Sequence, residues 1–136
     1  MSTPLYLDTS AVLRAVLETG ATPDLETKIR TAATLVTSRL ALVESTRAML
    51  RLRALAALPE ARLADAEREI ESVWARCEIW ELTRAVCELA RQIAPTKPLR
   101  SLDALHVATF VTARRKLEGL ELVSVDARLL EAASGA

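Results

Sequence analysis

The sequence predicts an α/β fold in which a parallel sheet of about four strands lies between layers of helices. Short apolar or β-branched runs alternate along the chain with longer segments whose apolar residues have helical spacing. Such alternation is typical of a parallel sheet that helices cover on both faces. The 136 residues, 51% of them hydrophobic, suffice for one domain with a buried core, and we assign residues 1–136 to it.

The first strand is Leu5–Leu7, three apolar residues that lead into Asp8. Thr9 or Ser10 is predicted to cap the helix that follows, and Gly20 to end it. This stretch therefore predicts a buried strand, a sharp turn and a helix start. In open α/β sheets, functional groups gather beyond the carboxyl ends of the strands, where Asp8 lies.

A second helix is predicted to begin near Pro23, and the β-branched residues 33–37 form the second strand. Ser38 then caps a long helix over residues 39 to about 58, whose apolar positions follow a helical period. Pro59 opens the next helix, which runs to about residue 74.

Residues 78–82 alternate polar and apolar side chains, which indicates a short third strand at a sheet edge, with a helix as the alternative. A helix over residues 83–93 follows. Ser101 is predicted to cap a helix that runs to about residue 117. Residues 120–125 form the fourth strand, and Asp126 begins the last helix.

The 18 basic and 18 acidic residues give a formal net charge of zero, so any nucleic-acid binding must come from a local patch. Cys77 and Cys87 have neither CxxC nor zinc-site spacing, and we expect both to be buried as small hydrophobic residues. Signal-peptide patterns and apolar runs of about 18 residues are absent from the sequence. We therefore expect a cytoplasmic protein without membrane association.

Four carboxylates are predicted to converge at one edge of the sheet. Asp8 and Asp126 follow the first and fourth strands, and parallel strands end at the same edge. Glu44 lies in the second turn, and Asp103 in the first turn, of helices that leave that edge. Singly, each has an ordinary explanation: a helix cap, a favourable interaction with a helix dipole, or an ion pair of Glu44 with a nearby arginine. Their common position favours a functional site.

Such a cluster needs compensation, because two carboxylates about 4 Å apart repel by roughly 4 kcal/mol at an effective dielectric of 20. A bound hard cation removes this repulsion, and oxygen ligands favour Mg²⁺, with Mn²⁺ as an alternative. Such an ion activates water and neutralises charge on a phosphodiester. Thr9 and Ser10 are candidates for orienting a water molecule or a phosphate oxygen, with helix capping as the alternative.

Four motifs in this order resemble those of the PIN-domain ribonucleases, and within them the VapC-type toxins. The motifs are Leu7-Asp8-Thr9-Ser10-Ala11, Thr37-Ser38 with Val43-Glu44, Leu99-Arg100-Ser101-Leu102-Asp103-Ala104-Leu105-His106, and Val123-Ser124-Val125-Asp126-Ala127-Arg128-Leu129-Leu130. The resemblance covers nearly the whole chain.

The resemblance implies a parallel sheet sandwiched by helices and metal-dependent endonucleolytic cleavage of RNA. It carries Asp8, Glu44, Asp103 and Asp126 over as the metal-binding and catalytic quartet. Ser124 takes a position where relatives often have threonine. The family often has a fifth short strand, which is doubtful here. Such toxins are commonly homodimers that a small antitoxin protein neutralises, and both features are expectations for this chain.

Other residues invite a functional interpretation. Arg100 and Lys97 lie in the loop before Asp103 and are candidates for phosphate contact. His106 is a possible metal ligand or general base, but we favour a structural role. Trp74 and Trp80 have the chemistry to stack on RNA bases, but we favour a place in the core or at an interface.

Two other functions remain open from the sequence. A haloacid-dehalogenase-like phosphatase would use Asp8 as a nucleophile, although that chemistry usually needs a second aspartate where this chain has Ser10. A non-catalytic PIN-like module would bind RNA or protein without cleaving, which the presence of all four acids argues against.

Overall fold

The computed structural model describes residues 2–136, which form a four-stranded parallel sheet with helices on both faces. The strands are β1 (Leu5–Leu7), β2 (Leu35–Ser38), β3 (Cys77–Trp80) and β4 (Glu121–Val123). The helices within residues 2–136 are α1 (Thr9–Leu17), α2 (Pro23–Thr31), α3 (Arg39–Ala54), α4 (Glu60–Ala75), α5 (Arg84–Ala90), α6 (Ser101–Arg114) and α7 (Ala127–Ser134). The strand order is β3-β2-β1-β4, and every pair is parallel. The predicted α/β class is confirmed.

Side chains of the central strand β1 alternate between two apolar layers. Leu5 and Leu7 pack with helices α1 to α4 on one face of the sheet. Tyr6 points to the opposite face, where helices α5 to α7 pack. Because β1 is covered on both faces and paired on both edges, the residue that follows it is held at the centre of the sheet's carboxyl edge. That residue is Asp8.

Several predicted boundaries need correction. Helix α3 ends at Ala54 and not near residue 58, because Ala56 adopts a left-handed φ of 49°. Strand β3 is Cys77–Trp80, one to two residues earlier than predicted, and its position at the sheet edge is confirmed. Helix α5 ends at Ala90 and is shorter than the predicted 83–93, and Thr83 caps its start by accepting a hydrogen bond from the Val86 amide.

Three predicted helix caps are wrong. Thr9 and Ser10 lie inside α1, where Asp8 occupies the capping position without capping through its side chain. Ser101 is the first residue of α6, and Arg100 precedes it at the capping position. The serine and threonine side chains of α1 are thus available for other contacts.

The cysteine prediction is partly wrong, because Cys87 is exposed and Cys77 only half-buried. The structural interpretation of the tryptophans is confirmed. Trp74 is buried and donates a hydrogen bond from Nε1 to Ser45 Oγ over 3.0 Å, and Trp80 packs against the α5–α7 core layer. Within residues 2–136, none of the helices is long and apolar enough to cross a membrane.

Candidate acidic site at the carboxyl edge of the sheet

Asp8 is the most deeply held carboxylate of the site, with 6% of its surface exposed. Its Oδ2 accepts hydrogen bonds from Ser10 Oγ over 2.5 Å and from Ser124 Oγ over 2.7 Å. Its Oδ1 lies 3.8 Å from Nε2 of His106. The interpretation of Asp8 as a simple helix cap therefore fails, because the side chain turns into the site.

Ser124 connects the two strand-end aspartates. It follows β4, donates to Asp8 Oδ2 and accepts a hydrogen bond from the Asp126 amide over 3.0 Å. Ser10 also contacts the segment that follows β4. Its hydroxyl lies 3.3 Å from that of Ser124 and accepts a hydrogen bond from the Val125 amide over 3.3 Å. The β1 and β4 ends are thus joined through side chains as well as through the sheet.

Glu44 reaches the site from α3 and is half-buried. Its Oε1 accepts a hydrogen bond from Thr9 Oγ1 over 2.7 Å and lies 2.5 Å from His106 Nε2. An ion pair with Arg47 or Arg51 was the ordinary explanation for this carboxylate, and the contacts with Thr9 and His106 replace it.

His106 is 1% exposed and lies on α6 beneath the carboxylates. Its Nδ1 is 2.9 Å from the hydroxyl of Tyr6, whose side chain leaves the middle of β1. The two rings meet edge to face, with centroids 6.1 Å apart. A polar chain therefore runs from the interior of the sheet, through His106, to Glu44.

Asp103 and Asp126 form the more open part of the site, and both are half-buried. Asp103 lies in the first turn of α6. Asp126 caps α7, because its Oδ1 accepts a hydrogen bond from the Arg128 amide over 2.9 Å. The ordinary role of a cap therefore holds for Asp126, and the same side chain also acts on Asp103 electrostatically.

The electrostatics show that the four acids share one environment. Burial raises the pKa of Asp103, and the charges of Asp126, Asp8 and Glu44 raise it further. Burial also acts to raise the pKa of Glu44, but the hydrogen bond and the charge of His106, with the hydrogen bond from Thr9, outweigh it and hold that pKa below its usual value. The ionised form of Glu44 is therefore stabilised in the site, whereas the ionised form of Asp103 is repelled by the neighbouring carboxylates.

The donor set suits a hard divalent cation, since all four acids supply carboxylate oxygens and Asp103 lies where added positive charge would relieve repulsion. As the side chains stand, no three carboxylate, imidazole or thiol groups within residues 2–136 are grouped closely enough to hold a metal ion. The residues thus fit such an ion by chemistry, and closing around it requires side-chain adjustment.

Comparison with known proteins assigns the chain to a family. The PIN-domain family model matches residues 5–135. This chain belongs to the PIN-domain family. The PIN domain is 37% identical over 132 residues to the protein named ribonuclease VapC35 of Mycobacterium tuberculosis, covering 95% of this chain and 89% of that protein. It is 44% identical over 52 residues to ribonuclease VapC45 of the same species, covering 38% of this chain and 36% of that relative. The resemblance predicted from the four motifs is confirmed.

Two solved structures share the fold of this PIN domain. PAE2754 from Pyrobaculum aerophilum superposes with a TM-score of 0.67 at 22% identity, covering 98% of this chain and 82% of that one. A structure of VapBC2 from Rickettsia felis, bound to a DNA fragment from the VapBC2 promoter, superposes with a TM-score of 0.60 at 12% identity. The match covers 90% of this chain and 98% of that one. At these identities the comparison concerns the fold alone.

The two basic residues predicted to contact phosphate, Arg100 and Lys97, are both exposed in this PIN domain. Arg100 is exposed at the start of α6, and no hydrogen bond within residues 2–136 links it to the four acids. Lys97 pairs with Glu131 over 2.7 Å. Of the two, Arg100 is therefore the one whose charge remains free for a ligand among the described residues.

The sequence reasoning missed Tyr6, which it treated only as an apolar strand residue of this PIN domain. A tyrosine hydroxyl buried in a central strand requires a hydrogen-bond partner. The chain has a single histidine, His106, on the helix that carries Asp103. The need of the Tyr6 hydroxyl for a partner and the presence of a single histidine could together have predicted the Tyr6–His106 hydrogen bond.

Proposed function

We propose that this chain is a metal-dependent endoribonuclease, the toxin of a toxin–antitoxin pair, that uses Mg²⁺ or Mn²⁺. The observation that carries the proposal is the gathering of Asp8, Glu44, Asp103 and Asp126 at one edge of the sheet, where the charges of the other three raise the pKa of Asp103. Such a cluster repels RNA by itself and attracts a phosphodiester once a cation is bound.

The relatives support this function. The curated relative that covers 95% of this chain is named a ribonuclease, at 37% identity. RNA cleavage by this chain is the simplest activity that agrees with both that relationship and the acidic site. Fold alone would not suffice, because one fold hosts many functions.

Asp8, Glu44, Asp103 and Asp126 would hold the metal. When bound, the ion would activate a water molecule for attack on the phosphodiester and neutralise charge on the phosphate. The chain's own residues supply the orientation: Ser10 and Ser124 fix Asp8 from one side, and Thr9 fixes Glu44.

The half-buried acids provide the open side on which a phosphate would approach. Asp103 and Asp126 are both partly accessible, whereas Asp8 is buried. Arg100, exposed at the start of α6, is the cation we assign to a more distant phosphate. Because the chain has no net charge, the local charges of these acids, of the bound cation and of Arg100 would determine RNA affinity.

The proposed partners follow from the resemblance to VapC-type toxins. We expect a small antitoxin protein to cover the acidic edge and block access to it, and we expect the toxin to form a homodimer. Both would act in the cytoplasm, where the RNA substrate is. Copurification with a small protein encoded next to this chain, followed by mass measurement of the complex, tests the pairing.

The decisive experiment compares purified wild type with Asp8→Asn on RNA, without metal and with Mg²⁺ or Mn²⁺. The exposed acid Asp24 provides a matched control, Asp24→Asn, on helix α2. We expect metal-dependent cleavage by the wild type and the control, and loss of at least about a hundredfold in Asp8→Asn. Sequencing of RNA ends after brief expression then gives the cleavage sites.

Three results would contradict the proposal. Cleavage by Asp8→Asn at the wild-type rate would show that the four acids are not the catalytic site. A trapped phosphoryl group on Asp8 would indicate a phosphatase. A wild type with neither metal binding nor cleavage would indicate a non-catalytic binding module.

A further inference from the structure

Both hydrogen-bonding contacts of Glu44 fall on the same carboxylate oxygen. Thr9 Oγ1 and His106 Nε2 approach Oε1 at 2.7 and 2.5 Å. No hydrogen bond within residues 2–136 reaches Oε2. The carboxylate is therefore held by one oxygen, and the other oxygen is left for a ligand.

The donors and acceptors along this chain have only one consistent arrangement with a neutral imidazole. An ionised Glu44 only accepts, so His106 Nε2 carries the proton, and Nδ1 is then an acceptor. In this neutral form Tyr6 donates its hydroxyl proton to Nδ1, at 2.9 Å, and in a protonated imidazole Nε2 still donates to Glu44.

The packing holds the imidazole in one orientation. Tyr6 is fully buried in the central strand, and its ring meets both His106 and Phe110 edge to face. His106 is itself 1% exposed. Rotation of the imidazole would break contacts at both nitrogens in a site closed to water, where an unpaired polar group costs about 1–3 kcal/mol.

The same contacts argue against two other roles for His106. Both ring nitrogens are already engaged, one by Tyr6 and one by Glu44, so neither is free to bind a metal ion. The ring is also shielded from substrate by its burial. Its remaining effect on the site is through Glu44.

We propose that His106 is a positioning residue: Tyr6 sets its ring orientation, and its Nε2–H holds Glu44 Oε1 and leaves Oε2 for the cation that would bind. The inference rests on the proposed function, because the cation is the Mg²⁺ or Mn²⁺ of that proposal. Residues that orient metal ligands in this way typically contribute 10–100-fold to metal affinity or activity.

Two conservative variants of His106 separate positioning from mere packing. In His106→Gln the amide nitrogen can replace Nε2 and still donate to Glu44. In His106→Asn the shorter side chain reaches only the Nδ1 position, towards Tyr6. Thr112→Val, which removes a hydrogen bond to Ala108 O on the same helix, is the matched structural control.

The measurements are the Mn²⁺ dissociation constant by calorimetry without RNA, the thermal midpoint, and the cleavage rate. We expect His106→Asn to weaken Mn²⁺ binding by at least about tenfold, and His106→Gln and the Thr112 control to stay within a few-fold of wild type. In a Glu44→Gln background, His106→Asn should change the affinity by less than about twofold, since the residue through which it acts is already altered.

A nitrogen-15 NMR spectrum of the wild-type imidazole is independent of whether any variant folds. We expect the proton on Nε2, and a shift of the Nδ1 resonance in Tyr6→Phe. A proton on Nδ1 alone would overturn the inference, as would equal Mn²⁺ affinity in His106→Asn and His106→Gln while the wild type binds Mn²⁺ and cleaves RNA. A wild type that does neither overturns the proposed function, and the inference with it.

Discussion

Ser124 Oγ donates a hydrogen bond to Asp8 Oδ2 over 2.7 Å and so joins residues that lie 116 positions apart in the sequence. Asp8 also accepts a bond from Ser10, so both fixed contacts fall on the same oxygen. The other oxygen, Oδ1, points towards His106. Asp8 and Glu44 are therefore held alike, each by one oxygen.

Removing the Ser124 hydroxyl should leave Asp8 less firmly held without unfolding the protein. We expect Ser124→Ala to lower Mn²⁺ affinity and cleavage by about 10–100-fold. Ser124→Thr keeps the hydroxyl and should stay within a few-fold of wild type. Calorimetry and a cleavage assay measure both effects, and equal losses in the two variants would contradict a role for the hydrogen bond.

Asp103→Asn should make the metal-free protein more stable at neutral pH while abolishing cleavage. The pKa of Asp103 is raised by burial and by Asp126 and Asp8, so its ionised form is costly in the folded state. We expect a thermal midpoint a few degrees higher than that of wild type, together with a smaller stabilisation by added Mg²⁺. A lower midpoint in the variant would show that the carboxylate is not repelled.

The stabilisation by Asp103→Asn should increase with pH. Because the folded-state pKa of Asp103 lies above the unfolded value, protonation favours the folded state, and that contribution is lost as pH rises through the folded-state pKa. Below the unfolded value the wild-type group is neutral. The stability difference between wild type and Asp103→Asn should therefore shrink at pH 3.5 and be largest at pH 7–8. Melting curves at several pH values measure it.

The Trp74–Ser45 hydrogen bond joins α4 to α3. Trp74→Phe removes the indole N–H and part of the ring, and we expect it to destabilise the fold by about 1–3 kcal/mol. Ser45→Ala leaves the buried N–H unpaired and should cost a similar amount. A double-mutant cycle by urea unfolding should give a coupling of about 0.5–1.5 kcal/mol; additive effects would exclude an energetically important bond.

The two cysteines should differ in reactivity. Burial raises the pKa of Cys77 to about 12, and its Sγ donates to Val73 O, whereas Cys87 is exposed. At pH 8 only about one Cys77 in ten thousand is ionised. We expect iodoacetamide to modify one thiol quickly in the folded protein and both in urea, as measured by mass spectrometry. Rapid modification of Cys87→Ser would contradict this.

The positions of the four acids could be predicted because they depend on topology. Asp8 and Asp126 follow strands, and parallel strands expose their carboxyl ends at one edge. Glu44 and Asp103 follow from the helices that start there. Strand lengths and helix ends were less accurate, since left-handed residues such as Ala56 carry no glycine or proline signal.

The partners of these acids could not be predicted, because they depend on side-chain rotamers across the core. The Tyr6–His106 contact joins residues 100 positions apart. Local spacing suggested an arginine on its own helix as the partner of Glu44, but the turn that leads Thr9 into α1 brings a closer donor. The exposure of Cys87 likewise depends on how α5 lies against α6, which hydrophobicity alone does not determine.

The pairing of β1 with β4 also has a consequence during synthesis. Strand β1 is translated before β4, which pairs with it, and before Ser124, which fixes Asp8. Contacts so distant in sequence form only once the intervening chain is available. A nascent chain that still lacks β4 therefore lacks the complete acidic site.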